Sequence, residues 1–237
     1  MALQREEVVR TALSLLNEVG IDGLTTRRLA RELGVQSPAL YWHFKNKREL
    51  LDLMAEAMLA DALPPDRAPA PEDWPRWLAE DARAKRRALL AYRDGARVHA
   101  GTLPTADELP AVEAQLSALC QAGLRPRTAL RLLLTIDRYV MGWVTEEQAW
   151  RQDAEERAQP AFPDEALSEL PLLREAADTL RMTDHDADFE YGLSVLIEGF
   201  RCAIAAEEAA GKGPTGSGPT GKGPTSKGST GSGGCEA

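Results

Sequence analysis

Apolar residues recur every three or four positions along most of this chain, and no segment shows the alternation of a strand. A period near 3.6 residues is typical of helices that bury one face. Helices are predicted over residues 4–19, 47–58, 72–92, 107–121, 128–152, 165–180 and 186–208. Asn46 and Glu49 are spaced as a capping box at the start of the second of these. The sequence therefore predicts an all-α fold.

Two further short helices, joined by a tight turn, are predicted within residues 25–47. Leu29 and Leu33 lie four residues apart on the first and give it one apolar stripe. Gly34 follows, and glycine can end a helix in the left-handed conformation without steric cost. This arrangement is typical of a helix-turn-helix, whose second helix enters the major groove of DNA.

The second short helix is expected to begin with Ser37 as its N-cap and Pro38 as its first helical residue. Its pattern continues through residues 39–43, and Leu40 is its expected buried anchor. The three consecutive rings at residues 41–43 are too many for one short core face. Some of them are therefore expected to point outward.

The charge of the chain is divided unevenly. Its net charge of -9 disfavours DNA binding by the chain as a whole. Residues 1–50, however, hold eight Lys and Arg against six Asp and Glu, a net charge of +2, which leaves -11 for the remainder. An acidic body with a mildly basic head would approach DNA only with the head.

Composition disfavours several other classes of protein. Cys120, Cys202 and Cys235 are odd in number and widely spaced, so they indicate neither a disulfide framework nor a zinc site. The N-terminus has no signal-peptide pattern, and no apolar run approaches the ~20 residues that span a bilayer. We therefore expect a cytoplasmic protein with no membrane partner.

Three segments of the chain resemble the TetR family, and most closely its tetracycline repressors. They are LNEVGIDGLTTRRLARELGVQSPALYWHFKNKRELLD, RDGARVHAGTLPT and GWVTEEQ. The resemblance implies an all-α protein with a three-helix DNA-binding head at residues 1–47 and a ligand-binding and dimerisation body at residues 48–210. Residues 211–237 have no counterpart in those repressors, and their Gly, Pro, Ser and Thr repeats predict a disordered tail.

The resemblance also implies a function. TetR proteins are transcriptional repressors that bind palindromic double-stranded DNA operators as homodimers and leave them when a small-molecule effector binds. Two long helices of the family pair across a two-fold axis, and they correspond to residues 128–152 and 186–208, which are apolar over more than one face. A ligand-responsive activator with the same head remains an alternative.

The predicted DNA-binding residues lie in and around the two short helices. By position, Arg27 would contact a guanine edge, and Thr26 and Lys47 would hold phosphates. The other predicted contacts are Gln36, Ser37, Pro38, Ala39, Tyr41, Trp42 and His43. Ser-Pro-Ala stands where tetracycline repressors carry Gln-Pro-Thr, so the operator should differ at those base pairs.

The predicted effector pocket only partly matches the tetracycline repressors. The matching positions are His99, Thr102, Pro104, Gln115 and Glu146, the last reaching in from the partner subunit. The differing positions are Leu63, Asp81, Lys85 and Leu103, in place of a histidine, an asparagine, a phenylalanine and an arginine. Tetracycline would leave buried polar groups unpaired in such a pocket. The expected effector is therefore another polycyclic aromatic metabolite or antibiotic.

The sequence leaves two features of this pocket undecided. Asp81 and Lys85 lie four residues apart, so they form either a salt bridge on one helix face or a site for an acidic effector group. His99 and Glu146 alone do not define a metal site, and no cofactor is obligatory. Magnesium would enter only together with a chelating effector.

The rival class is an all-α enzyme. The sequence contains no motif of a serine hydrolase, a zinc protease, a phosphate-binding loop or a dinucleotide site. Its three histidines, His43, His99 and His185, lie in separate segments, and His43 belongs to the DNA helix. We therefore predict a regulator without catalytic residues.

Overall fold

The computed structural model describes residues 3–60, 62, 70–153, 167–176 and 184–211. Within these ranges the chain forms ten α-helices and no strand, which confirms the all-α prediction. The helices are α1 (Arg5–Gly23), α2 (Thr26–Glu32), α3 (Ser37–Leu40), α4 (Lys47–Ala60), α5 (Trp74–Leu90), α6 (Gly95–His99), α7 (Leu109–Gln121), α8 (Pro126–Asp153), α9 (Pro171–Glu175) and α10 (His185–Gly211). None of these helices is long and apolar enough to cross a membrane.

Helices α1, α2 and α3 form a small head around a shared apolar core. Leu16 of α1, Leu29 of α2 and Leu40 of α3 are all fully buried. The turn between α2 and α3 has the predicted left-handed glycine, since Gly34 has a φ of 68°. Backbone hydrogen bonds from residues 34 and 35 to the carbonyls of residues 31 and 30 close the end of α2. The local turn thus sets the direction in which α3 leaves α2.

Valine at position 34 should destabilise this turn, although nothing crowds it. A Cβ on Gly34 would meet no heavy atom within 4 Å, so the cost comes from the backbone angle alone. A left-handed L-residue costs roughly 1–2 kcal/mol, and urea unfolding of Gly34→Val should show a loss of about that size. Gly34→Asn should lose less, because asparagine tolerates this conformation. Equal stability of Gly34→Val and the wild type would contradict this explanation of the turn.

Helix α3 differs from its prediction at both ends. Its helical hydrogen bonding ends at Leu40, and residues 41–43 form a turn in which the N–H of His43 donates to the Leu40 carbonyl at 2.9 Å. Gln36, rather than Ser37, occupies the N-cap with an extended backbone, and its side chain makes no capping hydrogen bond. The prediction of Ser37 as N-cap was wrong by one residue, because no side-chain bond fixes the start of this helix.

Helix α4 leads from the head into the body. The N–H of Glu49 donates to Asn46 Oδ1 at 3.0 Å, which is one half of the predicted capping box. Glu49 Oε2 accepts the N–H of Lys45 at 2.7 Å instead of that of Asn46. Leu50 and Met54 of α4 are buried in the common core. Helix α4 is therefore packed as a rigid link between head and body.

Helices α5, α8 and α10 meet at a half-buried arginine, Arg86, in the body. Arg86 of α5 donates to Glu147 Oε2 of α8 from Nε at 3.0 Å and from Nη2 at 2.8 Å. Its Nη1 donates to Asp186 of α10 at 2.6 Å, and its guanidinium lies 4.8 Å from the centre of the Phe189 ring. Glu147 is only 1% exposed. Arg86 therefore neutralises a buried carboxylate and ties the three helices together.

Two parts of the body differ from the predictions. Helix α6 was not predicted, because residues 94–95 and 101–104 indicated only breaks in the chain. Within residues 167–176, the helix predicted for 165–180 is a turn followed by the short α9, since Pro171 can begin a helix but not continue one. Leu63 and the predicted tail after residue 211 lie outside the described residues.

Candidate DNA-binding surface and effector site

Most of the residues predicted to bind DNA are accessible in the protomer. Arg27, Gln36, Pro38, Tyr41, Trp42 and Lys47 are exposed, and Thr26, Ser37, Ala39 and His43 are half-buried. Trp42 is 89% exposed and Tyr41 is 53% exposed. Rings exposed to this degree contribute little to the core of the head. They remain candidates for contact with a binding partner.

Two buried residues orient these exposed rings. Leu40 is fully buried and Phe44 is 1% exposed, so both anchor the turn of residues 41–43 to the core of the head. The N–H of Phe44 donates to the Leu40 carbonyl at 3.2 Å, and the Tyr41 and Phe44 rings are 6.2 Å apart. The sequence predicted Leu40 as an anchor but missed Phe44. Its spacing of four residues from Leu40 was the available signal.

The cations at the start of α4 also make contacts within the protein. Lys47 Nζ donates to the Ile21 carbonyl at 3.3 Å, although the side chain as a whole is exposed. Arg48 pairs with Asp52 at 2.9 Å and donates to the Ala100 carbonyl at 3.0 Å. Lys47 thus stays accessible to a phosphate, whereas Arg48 joins α4 to the segment that follows α6.

Helix α6 connects the body to the end of α1. Asp94, which is 8% exposed and precedes α6, accepts the N–H of Ile21 at 2.9 Å. Arg97 donates to both carboxylate oxygens of Asp22 at 3.0 Å, and this hydrogen bonding lowers the pKa of Asp22. Gly20 has a φ of 70°, and a Cβ there would lie 2.8 Å from Asp94 Oδ2. The close approach of body and head therefore requires glycine at position 20.

A row of polar contacts crosses the body from α5 over α8 to α6. Lys85 Nζ lies 3.3 Å from Asp81 Oδ2 and 3.7 Å from Asp137 Oδ1. The same oxygen of Asp137 lies 3.5 Å from His99 Nε2. The Thr102 hydroxyl donates to the His99 carbonyl at 2.8 Å and lies 3.4 Å from His99 Nδ1. Four predicted pocket residues are thus brought together, with Asp137 between them.

The charges in this row compensate one another. Burial opposes the charge of Lys85, but Asp81 and Asp137 outweigh it and raise the pKa of the ammonium group. Burial also opposes the charge of Asp137, but the hydrogen bond from His99 and the charge of Lys85 prevail and lower the pKa of the carboxyl group. The salt bridge between Asp81 and Lys85 that the spacing suggested is confirmed. Lys85 is therefore already paired.

The remaining predicted pocket residues lie apart from this row. Leu103 is 80% exposed, and Pro104 is exposed as well. Gln115 is half-buried on α7, and Glu146 is exposed on α8. Among the described residues, no hydrogen bond or ion pair joins Gln115 or Glu146 to the row. Their part in effector binding stays a prediction, and Glu146 is accessible to a second subunit.

Asp137 was missed by the sequence reasoning, which counted only apolar positions on α8. It lies four residues after Leu133 and three before Val140, and thus takes a core-facing place in the helical period. Carboxylates are seldom buried without a partner. An acidic residue in an apolar stripe was the signal that could have identified it.

These residues fit a magnesium ion poorly. The part of the chain that the structure describes contains no group of three or more His, Cys, Asp or Glu side chains that could hold a metal. His99 Nε2 lies 3.5 Å from Asp137 Oδ1, so this nitrogen already faces a group of the protein. A divalent ion would also have to share the Asp137 carboxylate with Lys85, whose Nζ lies 3.7 Å from it. A metal would need a rearranged His99 and oxygen ligands from an effector.

Known proteins resemble both parts of the chain. Residues 8–54 match the family model of bacterial regulatory proteins, tetR family, and residues 68–204 match that of the tetracyclin repressor-like C-terminal domain. The tetracycline repressor protein class A from transposon 1721 of Escherichia coli is 52% identical over 197 residues, which are 83% of this chain and 90% of that protein.

Solved structures extend this similarity to the fold. A structure of TetR(class A) in complex with 5a,6-anhydrotetracycline and magnesium aligns with a TM-score of 0.63 and 44% identity, over 86% of this chain and 99% of that chain. ActR from Streptomyces coelicolor in complex with (S)-DNPA aligns with a TM-score of 0.71 and 29% identity, over 86% and 99%. Relatives with this fold thus bind chemically different ligands.

Proposed function

The chain belongs to the TetR family of bacterial transcriptional regulators, and on this premise we propose that it represses transcription as a homodimer on a palindromic operator, from which a polycyclic effector releases it. Its curated relatives are repressors, so its function is regulatory and not enzymatic. Because the proposed target is DNA, we expect it to act in the cytoplasm.

The exposed surface formed by α2, α3 and the turn of residues 41–43 carries the proposal of DNA binding. Trp42 is 89% exposed beside the half-buried His43, and Arg27 is exposed on the preceding helix. Arginine paired with a guanine edge is the commonest base-specific contact in DNA complexes. The buried Leu40 and Phe44 hold this face rigid, so little side-chain order would be lost on binding.

A second copy of the chain is the proposed partner of α8 and α10. Leu130 and Leu134 lie one turn apart on α8 and are 41% and 39% exposed. Tyr191 and Val195 lie one turn apart on α10 and are 74% and 54% exposed. Exposed apolar rows of this kind support packing against a twin. Two heads about 34 Å apart would then reach successive major grooves of a palindromic operator.

The proposed effector is polycyclic but differs from tetracycline. The structures of two relatives contain 5a,6-anhydrotetracycline with magnesium in one case and (S)-DNPA in the other. In this chain Lys85 is held by Asp81 and Asp137, and His99 Nε2 faces Asp137. A ligand suited to this arrangement needs edge groups different from those of tetracycline. Magnesium is not required for the binding of such a ligand.

Helix α6 is the proposed route from the effector to the DNA. It ends at His99 in the polar row, and it begins next to Asp94, which accepts the N–H of Ile21 in the head. Arg48 of α4 reaches Ala100 beyond the end of α6. An effector that favours a displaced His99 would shift α6 and, through these contacts, the head. By reciprocity, operator DNA must weaken effector binding by the same factor.

Arg27→Ala should remove one base preference from each half of the operator. The expected loss is roughly 1–3 kcal/mol of specific binding free energy for each bidentate contact to guanine. Selection from a random DNA pool tests this. The wild type should enrich a two-fold symmetric sequence, and Arg27→Ala should enrich the same sequence with one base pair relaxed in each half.

Arg10→Ala is the matched control, because Arg10 is an exposed arginine of the head on α1. It should select the same sequence as the wild type. If the wild type enriches no sequence at all, the proposed function is wrong. If Arg27→Ala and the wild type enrich identical sequences, only the assigned role of Arg27 is wrong.

A further inference from the structure

The row of polar contacts formed by Asp81, Lys85, Asp137, His99 and Thr102 has no unpaired positive charge for an effector. Asp81 and Asp137 contribute two negative charges, and Lys85 contributes one positive charge that both of them already share. An acidic effector group would meet carboxylates and a paired ammonium. The earlier alternative of an acidic effector is therefore disfavoured by the arrangement of these charges.

Asp137 is the member of this row with capacity for a further partner. Its contacts with Lys85 and His99 are 3.7 Å and 3.5 Å long, whereas charge-assisted hydrogen bonds are typically 2.7–2.9 Å. The contacts of Arg86 are shorter: it lies only 2.6 Å from Asp186 and 2.8 Å from Glu147. The Asp137 side chain is also 32% exposed, compared with 7% for Asp81.

Helix α5 carries a second polar group that a ligand could engage, independent of Asp137. The indole Nε1–H of Trp77 is buried and has no hydrogen-bond partner in the part of the chain that the structure describes. Trp77 is 6% exposed, and it lies four residues before Asp81 and eight before Lys85, on the same face of α5. A buried donor without a partner costs stability. A carbonyl oxygen of a ligand would satisfy it.

We propose that Asp137 and Trp77 are the two polar anchors of the effector site, and that the effector is a flat polycycle with a protonated amine for Asp137 and a carbonyl oxygen for Trp77. This inference rests on the proposed function and specifies its ligand class. Along α5, Trp77 and Lys85 are separated by about 12 Å of helix, and Lys85 Nζ lies 3.7 Å from Asp137 Oδ1.

The amine would compete with His99 for the same oxygen of Asp137. A short ammonium–carboxylate contact would replace the 3.5 Å contact between Asp137 and His99 Nε2. His99 at the end of α6 would then lose its hold on α8. Effector recognition by Asp137 would in this way release the helix that contacts the head, without any metal.

Three anthraquinones that differ in one group test this inference by calorimetric titration of the full chain. They are 2-(aminomethyl)anthraquinone, 2-(hydroxymethyl)anthraquinone and anthraquinone-2-carboxylic acid, measured at one ionic strength with and without EDTA. The wild type should bind the amine at least tenfold more tightly than the other two, and EDTA should have no effect. Asp137→Asn should remove this preference, and Trp77→Phe should weaken all three ligands by a similar factor.

Two variants control for misfolding and for charge alone. Asp137→Glu keeps the carboxylate and should keep the preference for the amine, and Glu113→Gln removes an exposed carboxylate of α7 and should change nothing. The inference is overturned if no anthraquinone binds, if the acid binds as tightly as the amine, or if Asp137→Asn keeps the preference. None of these results affects the DNA selection, so a failure here is distinguishable from a failure of the proposed function.

Discussion

Arg86→Met is expected to lower the free energy of unfolding by about 3–5 kcal/mol, the usual cost of removing one partner from a buried ion pair. Glu147 is 1% exposed and, among the described residues, would keep only Arg151, which approaches its other oxygen at 2.6 Å but is itself 59% exposed. The contact between the guanidinium and the Phe189 ring would also be lost. Urea unfolding followed by circular dichroism measures the change.

Two further variants separate the buried charge from general damage. Arg76→Met removes an arginine that is 76% exposed and lies 3.4 Å from Glu80, so it should cost less than about 1 kcal/mol. Arg86→Met combined with Glu147→Leu should recover much of the loss, because no carboxylate is then left buried without its partner. If Arg86→Met costs no more than Arg76→Met, Arg86 is not the central tie of the body.

Val195→Asp is expected to abolish the proposed dimer and, with it, the proposed high-affinity binding to an operator. Val195 is 54% exposed on α10 and shares an apolar row with Tyr191. A carboxylate at this position would face its own twin across a two-fold axis in a desolvated interface. Sedimentation velocity should give the mass of one chain instead of two. Operator affinity should fall by at least about 100-fold, because a single head keeps only half of the contacts.

Leu109→Asp provides the control for this change. Leu109 is 55% exposed at the start of α7, away from the rows on α8 and α10, and an acidic residue suits the first turn of a helix. This variant should remain a dimer and bind DNA like the wild type. A dimeric Val195→Asp protein with unchanged DNA affinity would show that the interface lies elsewhere.

Features set by neighbouring residues were predictable from the sequence. The left-handed turn at Gly34 and the pairing of Asp81 with Lys85 each depend on residues within one or two helical turns. The buried position of Leu40 followed from the helical period in the same way. Such features need only local chain geometry, which the pattern of residue types records.

Features set by distant contacts were not predictable. Helix α6 has five residues, too few to show a period, and Asp94 before it has a φ of 56°. Gln148 of α8 supports this segment by donating to the carbonyls of Leu89 and Tyr92 at 3.3 Å and 2.8 Å. Short helices of this kind depend on tertiary contacts rather than on their own sequence.

The candidate sites show the same division. The predicted DNA-binding residues form one compact stretch of sequence, whereas the proposed effector site joins residues of three helices. Asp137 lies 52 residues from Lys85 and 38 from His99 in the sequence, and only the packing of α5, α6 and α8 brings them together. The resemblance to tetracycline repressors predicted His99. It could not predict Asp137, because the positions carried over from those repressors do not include it.

The most direct test is fluorescence anisotropy of a labelled DNA fragment from immediately upstream of the protein's own gene, or of the selected sequence. The fragment is titrated with the wild type and with Arg27→Ala, at one stated salt concentration and against excess unrelated DNA. We expect the wild type to bind with a dissociation constant of about 10⁻⁸ M or tighter, resistant to competition, and Arg27→Ala to bind the same fragment more weakly, by roughly 1–3 kcal/mol for each half of the operator. Equal, weak binding of both proteins to the selected sequence and to unrelated DNA would contradict the proposed function as a sequence-specific repressor.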